Sequence, residues 1–282
     1  MTETRYSYFP GCSLATTAKE NNASLINLTR DLGIALIELP DWNCCGSSSA
    51  HSIDGELADR LAMRNLFLAP PDRPLLAACP SCILRLQQAQ LKLKTDAAAR
   101  RSYKRWFGKN YNPDLQIMHF FELLEQVDWR AINHRSNGSL KDLTFAPYYG
   151  CMLARPPAMR RMKNYHGLME RILSGLGARP LNWAYGSRCC GTFLSVVRPD
   201  VVTSMVQDIV ADARRVQAHC IVTACAMCHL NLEIRSKPDE ALPIFHFSEI
   251  LALAFGQGGT DAYFERHLID PRPMLKQCRL IL

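Results

Sequence analysis

The sequence predicts an α/β fold of two pseudo-symmetric halves, each a mostly parallel sheet flanked by helices. Three observations predict it. Ten of the twelve cysteines form one pattern written twice. The residues around those cysteines repeat in the same order. Helical and β-rich stretches alternate between them, which favours parallel strands with crossover helices.

The first copy of the pattern is Cys12, the pair Cys44 and Cys45, then Cys79 and Cys82. The second is Cys151, the pair Cys189 and Cys190, then Cys225 and Cys228. The spacers are 31 and 33 residues in the first copy and 37 and 34 in the second. Four stretches agree around this frame: Tyr8–Cys12 with Tyr148–Cys151, Trp42–Gly46 with Ser187–Gly191, Ala78–Cys82 with Ala224–Cys228, and His119–Leu124 with His246–Leu251. Cys220 and Cys278 are left over. The first is expected in the core, and the second either packed or exposed.

The elements follow in order. Asn21–Leu32 has apolar residues at helical period and stops at Gly33, and Met159–Leu176 stops in the same way at Gly177. A β-rich run comes next in each half, Ile34–Leu39 and Pro180–Tyr185. After each Cys-Cys-Gly lies a second helical stretch, Glu56–Leu68 and Pro199–Gln217. A short apolar strand, Pro74–Ala78 or Cys220–Ala224, then enters each Cys-x-x-Cys, and another helix follows. Each half thus reads as three strands and three helices. The polar stretch 133–141 places the boundary, giving halves 1–136 and 137–282. An inserted basic segment, Lys92–Asp114, carries Tyr103, Trp106 and Phe107. It reads as a solvated helix with one apolar face, or else as a docking surface for a partner.

Composition bounds the function. With 282 residues, 48% hydrophobic and 21% charged, the chain can build a core without disulfide staples. No apolar run approaches the ~18–20 residues of a membrane helix, and no secretory signal is apparent, so a cytoplasmic protein without a membrane span is expected. The net charge of +7 is mild, and nothing else in the chain suggests nucleic-acid binding. Twelve cysteines in such a chain point to metal or redox chemistry. There is no complete G-x-G-x-x-G loop, no Walker loop and no ferredoxin-type cysteine run. Electrons must therefore be exchanged with another protein.

All three cysteine groups of each half fall where a strand turns into a helix, the end of an α/β sheet at which ligands gather. Helix N-termini there favour thiolate over thiol, and Pro80 suits a first helical turn. A tetrahedral zinc or a cubane cluster uses four thiolates, whereas each half offers five. Either each site is an unusual, opened cluster or one thiol per half is spare and reactive.

Cys-x31-Cys-Cys-x33-Cys-x-x-Cys and Cys-x37-Cys-Cys-x34-Cys-x-x-Cys resemble the two cysteine-rich CCG domains found in the B-type subunits of heterodisulfide reductases. The likeness spans nearly the whole chain and is closest at Tyr148–Pro156 and Thr223–Glu233. Such domains also occur in lactate-utilisation proteins, glycolate oxidase, glycerol-3-phosphate dehydrogenase and some succinate or fumarate reductases. The resemblance implies two non-cubane [4Fe-4S] clusters, one on Cys12, Cys44, Cys45, Cys79 and Cys82, the other on Cys151, Cys189, Cys190, Cys225 and Cys228. It implies an oxidoreductase acting on sulfur groups, cleaving a disulfide between the clusters, with no catalytic residue beyond them. It further implies two partners in a complex, a ferredoxin-like C-type subunit with a flavin-bearing A-type subunit, and in sulfur oxidisers a lipoate-bearing carrier protein. The alternatives are an electron-transfer subunit of a lactate- or glycolate-type hydroxyacid dehydrogenase complex and a zinc-stabilised assembly module. His119 and His246 are expected to be hydrogen-bonded structural residues, and His229 to lie beside a cluster sulfur. Arg155, Arg160, Arg161 and Lys163 read as a solvated helix face or as steering charges for an anionic substrate.

Overall fold

The computed structural model describes residues 4–47, 50–129, 139–154, 165–256 and 264–281. Two compact units emerge, one formed by residues 1–16 and 29–125, the other by 17–28 and 126–282. The expected boundary at 133–141 and the basic group Arg155, Arg160, Arg161 and Lys163 lie wholly or largely outside the described residues.

The first unit contains β1 (Thr4–Tyr8), α1 (Gly11–Ala15), the end of α2 (Lys19–Asp31), β2 (Ile34–Glu38), α3 (Ala50–Ile53), α4 (Gly55–Leu68), β3 (Leu75–Ala77), α5 (Pro80–Thr95), α6 (Ala97–Phe107), β4 (Ile117–His119) and α7 (Phe120–Glu125). Its strands pair in parallel in the order β2-β1-β3-β4. The second unit contains β5 (Thr144–Tyr148), α8 (Gly150–Ala154), α9 (Leu168–Gly175), β6 (Arg179–Pro180), α10 (Pro199–Arg215), β7 (Cys220–Thr223), α11 (Ala226–Arg235), β8 (Ile244–His246), α12 (Phe247–Ala254) and α13 (Arg272–Gln277). Its sheet is again parallel, in the order β6-β5-β7-β8. The α/β class and the duplication expected from sequence are both present.

Among the described residues each half has four strands, not three. The added strands, β4 and β8, immediately precede the repeated His-Phe segments. They are three residues long and buried throughout, so neither length nor alternation marks them. The run expected at 180–185 forms a strand only over Arg179–Pro180, with the Arg179 and Leu181 N–H groups donating to the Leu143 and Phe145 carbonyls on either side of Pro180. The described helix of the 159–176 stretch is α9 alone.

Both sheets reverse their strand order between the first and third strands. β1 has β2 on one side and β3 on the other, and β5 has β6 and β7. This reversal opens a crevice beyond the carboxyl ends of β1 and β3, and of β5 and β7. Residues 17–28 pack with the second unit because their polar side chains find partners there. Asn21 and Ser24 are fully buried, and Ser24 meets Ser248 at 2.7 Å between hydroxyl oxygens. The inserted α6 starts at Asp96, whose carboxylate accepts from the Ala98 and Ala99 N–H groups, and ends at left-handed Gly108. Tyr103 and Phe107 stack on Phe67 of α4, while Trp106 stays half exposed beneath the Arg60 guanidinium. The aromatic residues of this basic segment thus serve its own packing.

Candidate metal centres

The loop that ends β1 brings Cys12 to the crevice of the first unit, the β2 loop brings Cys44 and Cys45, and the turn after β3 brings Cys79 and Cys82. Cys79 is the residue preceding α5, Pro80 opens the helix, and Cys82 lies in its first turn. The Sγ atoms of Cys45 and Cys82 are 3.2 Å apart. Cys12 shares a hydrogen bond with Cys44 and feels Cys45, and Cys79 interacts with both Cys45 and Cys82. All five predicted side chains of this half therefore converge.

The second unit repeats the arrangement. Cys190 and Cys228 are 3.4 Å apart at sulfur, Cys151 is hydrogen-bonded to Cys189, and Cys225 interacts with Cys151 and Cys228. All twelve cysteines are free thiols. Cys220 and Cys278 stand apart from both sets and are buried, Cys278 with its sulfur 3.3 Å from His219 Nδ1.

Glycine permits the approach. Gly11 and Gly150 sit at φ +72° and +65°, and a Cβ at these positions would come within 3.0 Å of Cys82 Sγ and 3.3 Å of Cys228 Sγ. Backbone N–H groups of Gly46 and Gly191 point at Cys44 and Cys189, 3.4 and 3.3 Å away. Amide side chains fix the cysteine-pair loops. Buried Asn65 accepts from the Asn43 N–H and donates to the Asn43 carbonyl, while Asn43 Nδ2 donates to the Cys44 carbonyl. In the other half Asn231 Nδ2 donates to the Cys190 carbonyl at 2.6 Å. The buried Tyr148 hydroxyl donates to the Arg188 carbonyl, next to Cys189. Sequence reading singled out neither Asn65 nor Asn231, and Tyr148 only as part of the repeated Tyr148–Cys151 stretch. Their signal was composition-neutral, and only the loop geometry reveals it.

Electrostatics show what these thiol sets need. Cys12 is pushed up by its hydrogen bond with Cys44 and then by burial, and Cys82 by Cys45 and Cys79 and then by burial. Cys45 is pushed up to about 12, chiefly by Cys44. In the second set Cys151 rises through Cys189 and burial, and Cys228 through Cys190, Cys225 and burial. By contrast Cys189 falls to about 6 through its hydrogen bond with Cys151, and Cys190 to about 7 through Cys228, with the Thr192 hydroxyl 3.0 Å from its sulfur. Five crowded thiols, several of them buried, cannot all ionise by themselves. A positively charged soft-metal centre removes that obstacle, and an all-sulfur donor set suits iron–sulfur clusters or zinc. The residues present fit such a group.

The histidines behave as expected in one case and not in another. His119 Nδ1 accepts from the Phe121 N–H, and its Nε2 lies 3.0 Å from the Ala78 carbonyl, bracing the turn into Cys79. His246 stands 2.7 Å from the Ser248 hydroxyl, and Glu249 accepts from its backbone N–H. His229, expected beside a cluster sulfur, instead faces Asn21 and Glu233.

A cysteine-rich domain profile named CCG matches residues 6–87 and again 145–233. The chain belongs to the CCG cysteine-rich domain family. Among curated relatives, the 8-methylmenaquinol:fumarate reductase membrane anchor subunit of Wolinella succinogenes is 29% identical, covering 94% of this chain and 97% of that one. The B-type subunit of the ferredoxin/F420H2-dependent CoB-CoM heterodisulfide reductase of Methanosarcina acetivorans is 26% identical over 94% of each chain. A protein of Archaeoglobus profundus named as similar to the heterodisulfide reductase B-type subunit is 24% identical over 89% of this chain and 91% of that one. The crystal structure of a hypothetical protein from Helicobacter pylori shares the fold, with a TM-score of 0.73 at 12% identity; it covers 95% of this CCG chain, which spans about half of that protein's length, 52%. Among the described residues of this CCG protein, no helix is long and apolar enough to cross a membrane.

Proposed function

We propose that this CCG protein is the iron–sulfur subunit of a heterodisulfide reductase-like complex, performing thiol/disulfide or protein-bound sulfur redox chemistry at two [4Fe-4S] clusters of the non-cubane type. The observation behind this reading is the gathering of five free cysteines, twice, at the carboxyl ends of two equivalent sheets. When bound, the clusters supply electrons and thiolate-accepting iron. The chain's own residues hold them: Cys12, Cys44, Cys45, Cys79 and Cys82 in one unit, and Cys151, Cys189, Cys190, Cys225 and Cys228 in the other. Gly46 and Gly191 donate N–H groups toward cysteine sulfur, which stabilises thiolate and tunes the potential. Asn65 and Asn231 hold the loops in place. The partners this reading calls for, in the cytoplasm, are a ferredoxin-like protein, a flavoprotein and, for sulfur oxidation, a lipoate-bearing carrier.

A second reading, an electron-transfer subunit serving a dehydrogenase or reductase partner, is favoured by the likeness to the Wolinella protein, whose name refers to fumarate reduction. One assay separates the two. The complex is purified anaerobically with its partners and given reduced viologen plus either a disulfide (CoM-S-S-CoB or oxidised lipoamide) or fumarate. Disulfide-dependent viologen oxidation, lost in Cys228→Ser, is expected. Turnover with fumarate alone overturns the sulfur chemistry and leaves the electron-transfer role.

A further inference from the structure

His229, Glu233 and His267, in the second unit, form a cluster outside both cysteine sets. His229 and Glu233 are four residues apart on α11 and so share one helix face. The His267 side chain is fully buried and approaches Glu233 Oε1 with Nδ1 at 2.8 Å and Glu249 Oε1 with Nε2 at 3.2 Å. One ligand atom from each of His229, Glu233 and His267 lies within 4.8 Å of the others. An N/O tetrahedral shell has edges of about 3.4 Å: the His229–Glu233 edge of 3.5 Å already matches, the Glu233–His267 edge of 2.8 Å must open, and the longest edge, up to 4.8 Å, must close.

Two further observations point to a cation. His229 is 4% exposed, yet its Nε2 has no hydrogen-bond partner. Glu233 Oε1 is 3.5 Å from it, beyond the roughly 2.7–3.2 Å of an N–H···O bond. In addition, Glu233 and Glu249 are both deeply buried, and the His267 ring reaches both of them. A divalent cation there would offset carboxylates held in a low-dielectric place. Outer partners are already oriented. The Asn21 amide meets His229 Nδ1 with Nδ2 at 3.0 Å and Oδ1 at 3.2 Å, so that its oxygen can accept the Nδ1 proton, and Glu249 Oε1 can accept from His267 Nε2. With Asn21 Oδ1 and Glu249 Oε1 as the acceptors, His229 Nε2 and His267 Nδ1 turn lone pairs toward Glu233 Oε1, while Glu233 Oε2 accepts from the Leu268 N–H.

We propose that His229 Nε2, Glu233 Oε1 and His267 Nδ1 bind a divalent transition metal, zinc by donor type, as a structural strut joining α11 to the segment after α12. A cavity of about 20 Å³ lined by Glu20, Asn21 and Arg266 besides the three ligands adjoins them. It holds one water as a fourth ligand and excludes a larger substrate. The first half has Ile83 and Gln87 at the positions of His229 and Glu233 relative to its Cys-x-x-Cys. The site therefore belongs to one half only and is not part of the duplicated cysteine machinery.

The test is zinc K-edge X-ray absorption on the full-length, anaerobically purified protein given one equivalent of zinc and passed over a chelating resin. The wild type is expected to retain about one zinc per chain with a nitrogen/oxygen-only shell showing imidazole scattering, and His267→Gln to retain at least tenfold less. No retained zinc in the wild type, sulfur in the zinc shell, or equal retention by His267→Gln overturns the proposal. If His267→Gln does not fold, the wild-type shell alone decides.

Discussion

At the scale of single residues, the sites rest on groups that cannot be exchanged without cost. At Gly150 a methyl group would meet Cys228 Sγ at 3.3 Å on a backbone held at φ +65°. A left-handed alanine alone costs about 1–2 kcal/mol, and the clash displaces a sulfur besides. Gly150→Ala is therefore expected to lose most of the iron of the second set while the first set stays loaded, as read by iron analysis alongside Cys225→Ser. Unchanged iron would show that Cys228 is not held from this side. His246 makes a different prediction. Burial lowers its pKa from 6.5 to about 3, so the folded protein keeps it neutral. The unfolded chain takes up a proton below about pH 6.5, so acid favours unfolding. The stability that is present above pH 6.5 drains as the pH falls toward 3, by up to about 1.4 kcal/mol per pH unit. In His246→Asn, urea midpoints measured from pH 7 to 4 are expected to fall less steeply than in the wild type; parallel slopes would contradict the assignment.

At the scale of elements, small polar anchors decide where the cysteine loops lie. Asn65 on α4 satisfies both the N–H and the carbonyl of Asn43, beside Cys44. Asn65→Ala leaves both without their partner and is expected to cost about 2–3 kcal/mol. Trp106→Ala on α6 serves as a control of under about 1 kcal/mol, because that ring is half exposed. Equal urea midpoints for the two variants would refute the anchoring role. How much of this was readable in advance follows from the same physics. The helices and the Cys-x-x-Cys strands were legible because their periods and punctuation are local. β4 and β8 were not, since three buried residues carry no period. The convergence of each cysteine quintet was legible from its duplicated order. The Asn43–Asn65 bracket and the meeting of His229 with His267 were not, because single contacts between distant positions leave no mark in spacing.

At the scale of the whole molecule, duplication has produced two units with the same strand order and the same thiol placement but unequal electrostatics. Cys45 is raised to about 12, whereas its counterpart Cys190 is lowered to about 7. The second unit also takes in residues 17–28, with their polar anchors Asn21 and Ser24, and among the described residues alone carries the His–Glu–His cluster. On the proposed function the two units nevertheless share one requirement, that each quintet encloses an inorganic iron–sulfur core. Iron and acid-labile sulfide, counted per chain in anaerobically purified protein, test it most directly. About eight irons and a comparable amount of sulfide are predicted, falling by about half in Cys82→Ser or in Cys228→Ser. Protein holding zinc on its cysteines, with no labile sulfide, would contradict it.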